Sequence, residues 1–232
     1  MSDQALREPA PEVPPPERRL ADLELAGERV RLRPHRSSDA SEAFALLAGR
    51  DEILRWLVWD GPASAAELEQ YYARWLLEGE GGPELRLAIE ECASGALAGS
   101  LALRFTGHAG QGDVGYWIGL PFQGRGAGRE ALALAARLAF RHLAAHTLYA
   151  WVFVGNQASR RVLEHNGFTL SRTVPGRILK RGRRVDEWHF VLLASEWRRL
   201  GGAPRARVER VAWSAGRGDG GEDSPTGSPG LG

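Results

Sequence analysis

Cysteine is nearly absent. Cys92 is the single one in 232 residues, which excludes an intrachain disulfide framework and a cysteine-ligated zinc site. Lysine is equally scarce: Lys180 stands alone, and every other basic side chain is an arginine. No apolar run approaches the roughly 20 residues that a membrane-spanning helix needs. Residues 1–19 are charged and proline-rich, without the apolar stretch of a secretory signal, so the expectation is a soluble cytoplasmic protein that binds no membrane. An excess of charge is missing too. Thirty basic side chains face 29 acidic ones, a formal net charge of +1, which gives no whole-surface attraction to nucleic acid. What remains is 43% hydrophobic and 25% charged, which excludes a wholly disordered chain. At this length one domain is expected, burying about 70% of its unfolded surface.

The two ends differ from the middle. Positions 9–16 hold five prolines, and 201–232 hold nine glycines and three prolines. Residues 1–23 therefore read as a flexible lead-in, 24–200 as the folded domain and 201–232 as a largely disordered tail. Within that tail, Val208, Val211, Ala212 and Trp213 suggest a short docking segment. In the body, Arg29–Pro34 alternates as a strand. Ser38 or Asp39 can cap a helix, and Ser64 with Glu67 forms a capping box for another over Ser64–Leu77. Strands follow at Leu85–Ile89, Leu97–Phe105 and Val114–Ile118. A helix is expected over Ala127–Leu143, a strand over Leu148–Val154 and a helix over Asn156–His165. Extended chain covers Phe168–Ile178, a basic turn Lys180–Arg184 and a last strand Glu187–Leu193. Helices between strands, after a meander, predict an α/β fold with a mixed sheet.

The most informative segment is Gln123–Gly124–Arg125–Gly126–Ala127–Gly128, between a strand and an alanine-rich helix. Glycines permit positive φ and close backbone approach, and successive N–H groups at a helix start can converge on phosphate oxygens. Arg125 and Arg129 can add charge-assisted contacts. No lysine follows, so this is neither a Walker loop nor a kinase loop; G-x-G-x-G at mid-chain is not a dinucleotide fingerprint. A plain tight turn is the alternative.

These residues, with Asp113–Val114–Gly115–Tyr116–Trp117–Ile118 before them, resemble the acetyl-coenzyme-A core of the GCN5-related N-acetyltransferases. Asn156–Gln157–Ala158–Ser159 and Asn166–Gly167–Phe168 resemble that superfamily's second signature. Val30–Arg31–Leu32–Arg33–Pro34 and Asp186–Glu187–Trp188–His189 are similar to its ribosomal-protein serine and alanine acetyltransferase branch. The resemblance spans about residues 28–198. It implies a mixed sheet of about seven strands, splayed between the fourth and fifth, with about four helices. It implies acetyl-CoA as acetyl donor, with the pyrophosphate on Gln123, Gly124, Arg125, Gly126, Ala127 and Gly128. The pantetheine arm would enter the splay, where an N–H near Trp117 or Ile118 would face the thioester oxygen. Asn156 would help hold the cofactor, and Ser159 would approach its sulfur as the thiolate's acid; simple helix capping is the alternative for both. Many members use a tyrosine there, and the Asn156–Gly167 segment has none.

An α-ammonium has a pKa of about 8, so a modest base or a water relay suffices. Asp113 stands where this branch commonly has glutamate, and Glu90, Glu91, Asp186, Glu187 and His108 are reserves. Tyr116, Trp117 and Trp151 read as pocket-wall or core packing. His142, His146 and His165 form no metal site. Arg55, Trp56, Leu57 and Trp59 resemble an acceptor-side segment, and Arg177, Lys180, Arg181, Arg183 and Arg184 read as a solvated hairpin. The acceptor is expected to be a protein or peptide N-terminal amine. A small amine (aminoglycoside, polyamine or amino-compound) and a CoA-binding sensor without turnover are the alternatives. Pairing of two copies through a sheet edge or the acceptor side is open.

Overall fold

The computed structural model describes residues 23–79, 84–105, 110–201 and 211–212. The expected lead-in, most of the glycine-rich tail, and His108 lie outside these. A nine-stranded sheet runs in the order β7-β8-β6-β5-β4-β3-β2-β1-β9. Its first half comprises β1 (Glu24–Ala26), β2 (Val30–Pro34), β3 (Glu84–Glu91), β4 (Leu97–Arg104) and β5 (Gln111–Ile118). The second half comprises β6 (Thr147–Phe153), β7 (Thr169–Lys180), β8 (Arg183–Leu193) and β9 (Val211–Ala212). Every neighbouring pair is antiparallel except β5 with β6, which are parallel. The sheet exceeds the seven strands expected because β1 and β9, at three and two residues, are too short to carry a visible alternation.

Alternation sorts each strand onto two faces. Leu87, Leu101, Val114, Leu148, Val152 and Phe190 point to one face, where they meet α4 (Ala127–His142) and α5 (Gln157–His165) through Ala131, Leu134, Leu138 and Leu163. The short α6 (Ala194–Arg199) adds Trp197 to the same core. On the other face, α1 (Asp39–Leu47) and α3 (Ala65–Gly79) pack Ala43, Leu68 and Tyr72 on Ala88 and Leu97. A four-residue α2 (Asp51–Leu54) links them. Helices α1 and α3 cover β2 to β4, and the second face beyond them is left as a wall carrying Asp113, Trp117, Trp151 and Glu187.

Two polar anchors fix the frame. Arg33 is 5% exposed and binds Asp39 through both terminal nitrogens, at 2.7 and 2.8 Å, and Glu90 through Nε, at 2.5 Å. Arg33 thereby holds the Asp39 carboxyl far below the usual carboxylate range despite the burial that opposes it. The second anchor is Glu130, in the first turn of α4. Its carboxylate accepts the backbone N–H groups of Glu28, Arg29 and Val30 at 3.0, 2.7 and 2.8 Å, tying the β1–β2 turn to that helix.

The basic segment 180–184 is a correction to the sequence reading. The β7–β8 turn is only Arg181–Gly182, with φ of 48° and 75°, and Lys180, Arg183 and Arg184 are strand residues. Two consecutive left-handed residues match the twist of a tight hairpin. Lys180 is buried, not solvated: its ammonium donates to Trp59 O at 2.9 Å and pairs with Asp60 at 2.5 Å.

Candidate acetyl-CoA and acceptor site

The glycine segment forms the turn from β5 into α4. Gly124 and Gly126 take φ of 73° and 87°, which only glycine adopts without strain, and Gly126 is the N-cap of α4. A Cβ at Gly128 would lie 3.3 Å from Ile118 Cγ1 and 3.5 Å from Tyr116 Cε2, so this glycine lets α4 sit close to β5. Gln123 Nε2 donates to Ile118 O at 2.8 Å and closes the turn. The first intrahelical bond is Glu130 N–H to Gly126 O. The N–H groups of Gly124 to Arg129 meet no acceptor among the described residues, and such unclaimed donors at a helix start suit a diphosphate.

Next to this turn the sheet opens. Strands β5 and β6 pair only at Gln111–Thr147, Gly112–Leu148 and Asp113–Tyr149, and from Val114 and Ala150 onward they part. Gly119 N–H binds Ala98 O on β4, so by alternation the Trp117 amide also points to β4. Only the Ile118 amide, of the two expected, faces the gap. Trp117 is at the site through its ring, which lines the cleft.

Helix α5 starts beside the gap. Asn156 Oδ1 accepts the Ser159 N–H at 3.1 Å, which is the capping role; its amide nitrogen bonds to no described residue and is available to a ligand. Ser159 Oγ lies 3.1 Å from Tyr116 Oη. Burial pushes the Tyr116 phenol up to about 12, partly offset by Ser159. Tyr116 therefore stays protonated and can donate to Ser159.

A continuous cleft of about 1710 Å³ joins the glycine turn, the gap and the wall of the second face. Trp56, Trp59, Tyr71 and Trp75 line its far end. Asp113 and Glu187 both reach it. Arg104 pairs with Asp113 at 2.6 Å, and Arg177 pairs with Glu187 while its guanidinium lies 3.8 Å over the Trp151 ring. His189 also stacks on Trp151, with ring centroids 4.0 Å apart, and burial with Arg172 and Arg177 lowers its pKa.

Residues 29–169 match the family model described as an acetyltransferase (GNAT) domain. The chain belongs to the GNAT family. As a class, GNAT proteins are acetyl-CoA-dependent acetyltransferases. A Bacillus subtilis (strain 168) protein provisionally named a ribosomal N-acetyltransferase, YdaF, is 29% identical over 104 residues, 44% of this chain and 57% of that protein. The match thus spans little more than half of this relative's length. Among solved structures, Mycobacterium smegmatis RimJ in complex with CoA-disulfide aligns with TM-score 0.70 and 22% identity, covering 82% of this chain and 98% of that one. A GCN5-related N-acetyltransferase from Brucella melitensis aligns with TM-score 0.68 and 27% identity, covering 81% and 86%.

On this GNAT frame, the expected cofactor residues Trp117, Ile118, Gln123 to Arg129, Asn156 and Ser159 all line the one cleft. The reserve bases do not all gather. Glu90 is buried against Arg33 and Arg31, Glu91 accepts from Ser94, and Asp186 accepts the Gly176 N–H. Among the described residues no group of three metal-binding side chains forms, and no helix is long and apolar enough to cross a membrane. One residue escaped the sequence reading. Arg29 approaches within 3.6 Å of where a Gly126 Cβ would stand, carried there by Glu130 from about a hundred positions away. Tyr116 packs against the core and lines the cleft, as expected, and its hydroxyl partner lies 43 residues on. No local spacing signals either contact.

Proposed function

We propose that this chain transfers the acetyl group of acetyl-CoA directly to the N-terminal α-amine of a protein or peptide. The observation that carries the reading is the β5–β6 gap, bounded by unclaimed amides at one end and by the Tyr116–Ser159 pair along its side. The residues fit the cosubstrate: the N–H groups of Gly124 to Arg129, with Arg29, Arg125 and Arg129, would hold the diphosphate, and Asn156 would bind the arm. Acetyl-CoA supplies the activated acetyl group.

The chain's own residues then have definite tasks. The Ile118 N–H stabilises the negative charge that develops on the carbonyl oxygen during attack by the amine. Ser159 Oγ donates a hydrogen bond to the departing sulfur and Tyr116 Oη donates one to Ser159, which polarises the serine hydroxyl toward the thiolate; the proton that finally neutralises the thiolate is the one released by the attacking amine, passed on through water. Asp113 and Glu187, paired with Arg104 and Arg177, attract the incoming ammonium and accept its proton through water. Attack on a bound thioester needs no acyl-enzyme, and Cys92 bonds at 3.8 Å to Gly27 O and does not line the cleft. The likeness to YdaF supports the ribosomal-protein branch.

A thiol-release screen with acetyl-CoA tests the reading, using peptides beginning with serine, alanine or threonine beside aminoglycosides and polyamines. Acetylated peptide, identified by mass, is the expected product. Turnover confined to polyamines or aminoglycosides, or CoA binding without any turnover, overturns it.

A further inference from the structure

His35, just after β2, is buried, with its side chain 2% exposed. Its ring stacks on Tyr72 of α3 with centroids 4.1 Å apart, and Trp75 meets it edge-on at 5.7 Å. Nε2 lies 2.9 Å from Ser100 Oγ on β4. Nδ1 has no hydrogen-bond partner among the described residues and faces Asp39 Oδ2 at 3.6 Å. The Asp39 carboxylate is already satisfied, by Arg33 through two nitrogens and by the Arg36 N–H at 2.8 Å. Burying a polar ring is costly unless it is bonded. Packing on Tyr72 would be met equally by phenylalanine, so what the imidazole adds is its bond to Ser100.

The surroundings fix the direction of that bond. Burial, with Arg33 and Arg86 behind it, outweighs Asp39 and lowers the His35 pKa, so the ring is neutral at neutral pH and carries one N–H. The Asp39 carboxylate favours that proton on Nδ1, because a lone pair there would point at negative charge. Nε2 then accepts, and the Ser100 hydroxyl donates to it. With its only hydrogen turned inward, Ser100 Oγ offers the cleft lone pairs alone. The same order of contacts activates serine nucleophiles in hydrolases. Here Arg33 neutralises Asp39 and burial disfavours a charged imidazole, so the serine is oriented rather than deprotonated.

Ser100 is half-buried and lines the cleft. In the β4–β5 register it stands opposite Trp117, one step from the Ile118 amide. An amine attacking a carbonyl held by that amide arrives at this level of the sheet. Asp113 is four residues back along β5, about 13 Å away, and reaches the amine only through water. Among the described residues two serines line the cleft: Ser159, bonded to Tyr116, and Ser100 on the acceptor face. We propose that Ser100 Oγ accepts a hydrogen bond from the attacking amine and that His35, oriented by Asp39, positions it by turning the serine's hydrogen away from the cleft; this rests on the acetyl-transfer reading above. Ser100 is thus an acceptor-binding residue and His35 a positioning residue. An oxygen offering only lone pairs suits an amine, with its several N–H groups, and repels a carbonyl or carboxylate. No covalent bond forms to Ser100.

Two readouts on the CoA-loaded full chain test this. Nitrogen NMR of the imidazoles, with His35→Phe to assign the His35 signals, should show a protonated Nδ1 and a bare Nε2 at neutral pH; the opposite tautomer overturns the proposal. Calorimetry then compares a peptide beginning with serine and the same peptide with hydrogen in place of its α-amine. The wild type prefers the amine. Ser100→Ala lowers that preference by about tenfold and keeps CoA affinity, which reports an intact fold. His35→Phe retains the ring on Tyr72 and lowers the preference by about threefold, because the released hydroxyl can turn its hydrogen outward. A serine that merely packs would leave the preference unchanged; that result, or no preference in the wild type, overturns the proposal. So does an acetyl group found on Ser100 by mass spectrometry after incubation with acetyl-CoA. Absence of turnover on every peptide fails the acetyl-transfer reading, while the tautomer and the amine preference still decide the role of Ser100.

Discussion

Ser159 alone is a weak candidate for an acid, because a hydroxyl in water gives up its proton far too reluctantly. Its position 3.1 Å from Tyr116 changes what it can do. The phenol, pushed up to about 12, is a donor throughout the working pH range, so Ser159 can give its hydrogen to sulfur while receiving one from behind. Replacing Ser159 with alanine is expected to lower kcat by about a hundredfold, the low end for general-acid catalysis, with little change in CoA affinity. Tyr116→Phe keeps the ring against Gly128 and removes only the hydroxyl; kcat falls by a smaller factor, about tenfold. Stopped turnover with bound CoA measures both. If Tyr116→Phe retains full kcat while Ser159→Ala does not, the tyrosine only packs. The place of Ser159 at the start of α5 was legible because it sits in a short motif with Asn156. Its contact with Tyr116 was not, since a hydrogen bond between β5 and α5 leaves no periodic trace.

At the scale of elements, the glycine turn works only if α4 starts in the right place, and Glu130 sets that start. Three backbone donors from the β1–β2 turn converge on its carboxylate, and one of them, on Val30, is buried. Glu130→Ala leaves those donors without a partner, so stability should fall by about 3 kcal/mol or more. The same change frees Arg29 from its place beside Gly126, so CoA affinity should drop as well. Thermal unfolding and CoA titration measure the two losses. A Glu130→Ala protein with lowered stability but unchanged CoA affinity would limit Glu130 to holding the fold. This element-level logic also explains what sequence reading captured. Strands β2 to β6, α1, α3, α4 and α5 each carry enough alternation or helical spacing to declare themselves, and the glycine turn follows from local chemistry. Strand β1 and helix α2 have three and four residues, less than one clear period, and owe their form to neighbours. The parting of β5 from β6 came from family resemblance, because register is a property of two strands and neither sequence states it alone.

Across the whole molecule, the two halves of the sheet are joined at β5–β6 by only three paired positions, yet a second link closes over the acceptor end. Lys180 and Arg181, at the tip of the β7–β8 hairpin, bind Asp60, Lys180 also holds Trp59 O, and Arg181 reaches Asp51 at 2.5 Å. These contacts cross about 120 residues and tie the segment after α2, which carries Trp56 and Trp59, to the opposite half. Only Lys180 is buried; Asp60 is 63% exposed, so the link is open to screening by salt. Hydrogen bonds from Lys180 and Arg181 hold the Asp60 carboxyl below its ordinary range. A depressed carboxylate contributes fully above its unfolded pKa, about 3.9, and loses that contribution as pH falls through the folded value. The link therefore stays closed at neutral pH and loosens only below about pH 4. Lys180→Met keeps the buried stem and removes the charge. Hydrogen exchange over residues 55–60 should then accelerate, and the acceptor KM should rise by about fivefold, an amount equivalent to about 1 kcal/mol. CoA affinity, set on the other face of the sheet, should not move. Unchanged exchange with unchanged KM would mean that the aromatic segment holds its place without the hairpin, through packing of Leu57 and Trp117 on Ile53 and Leu54.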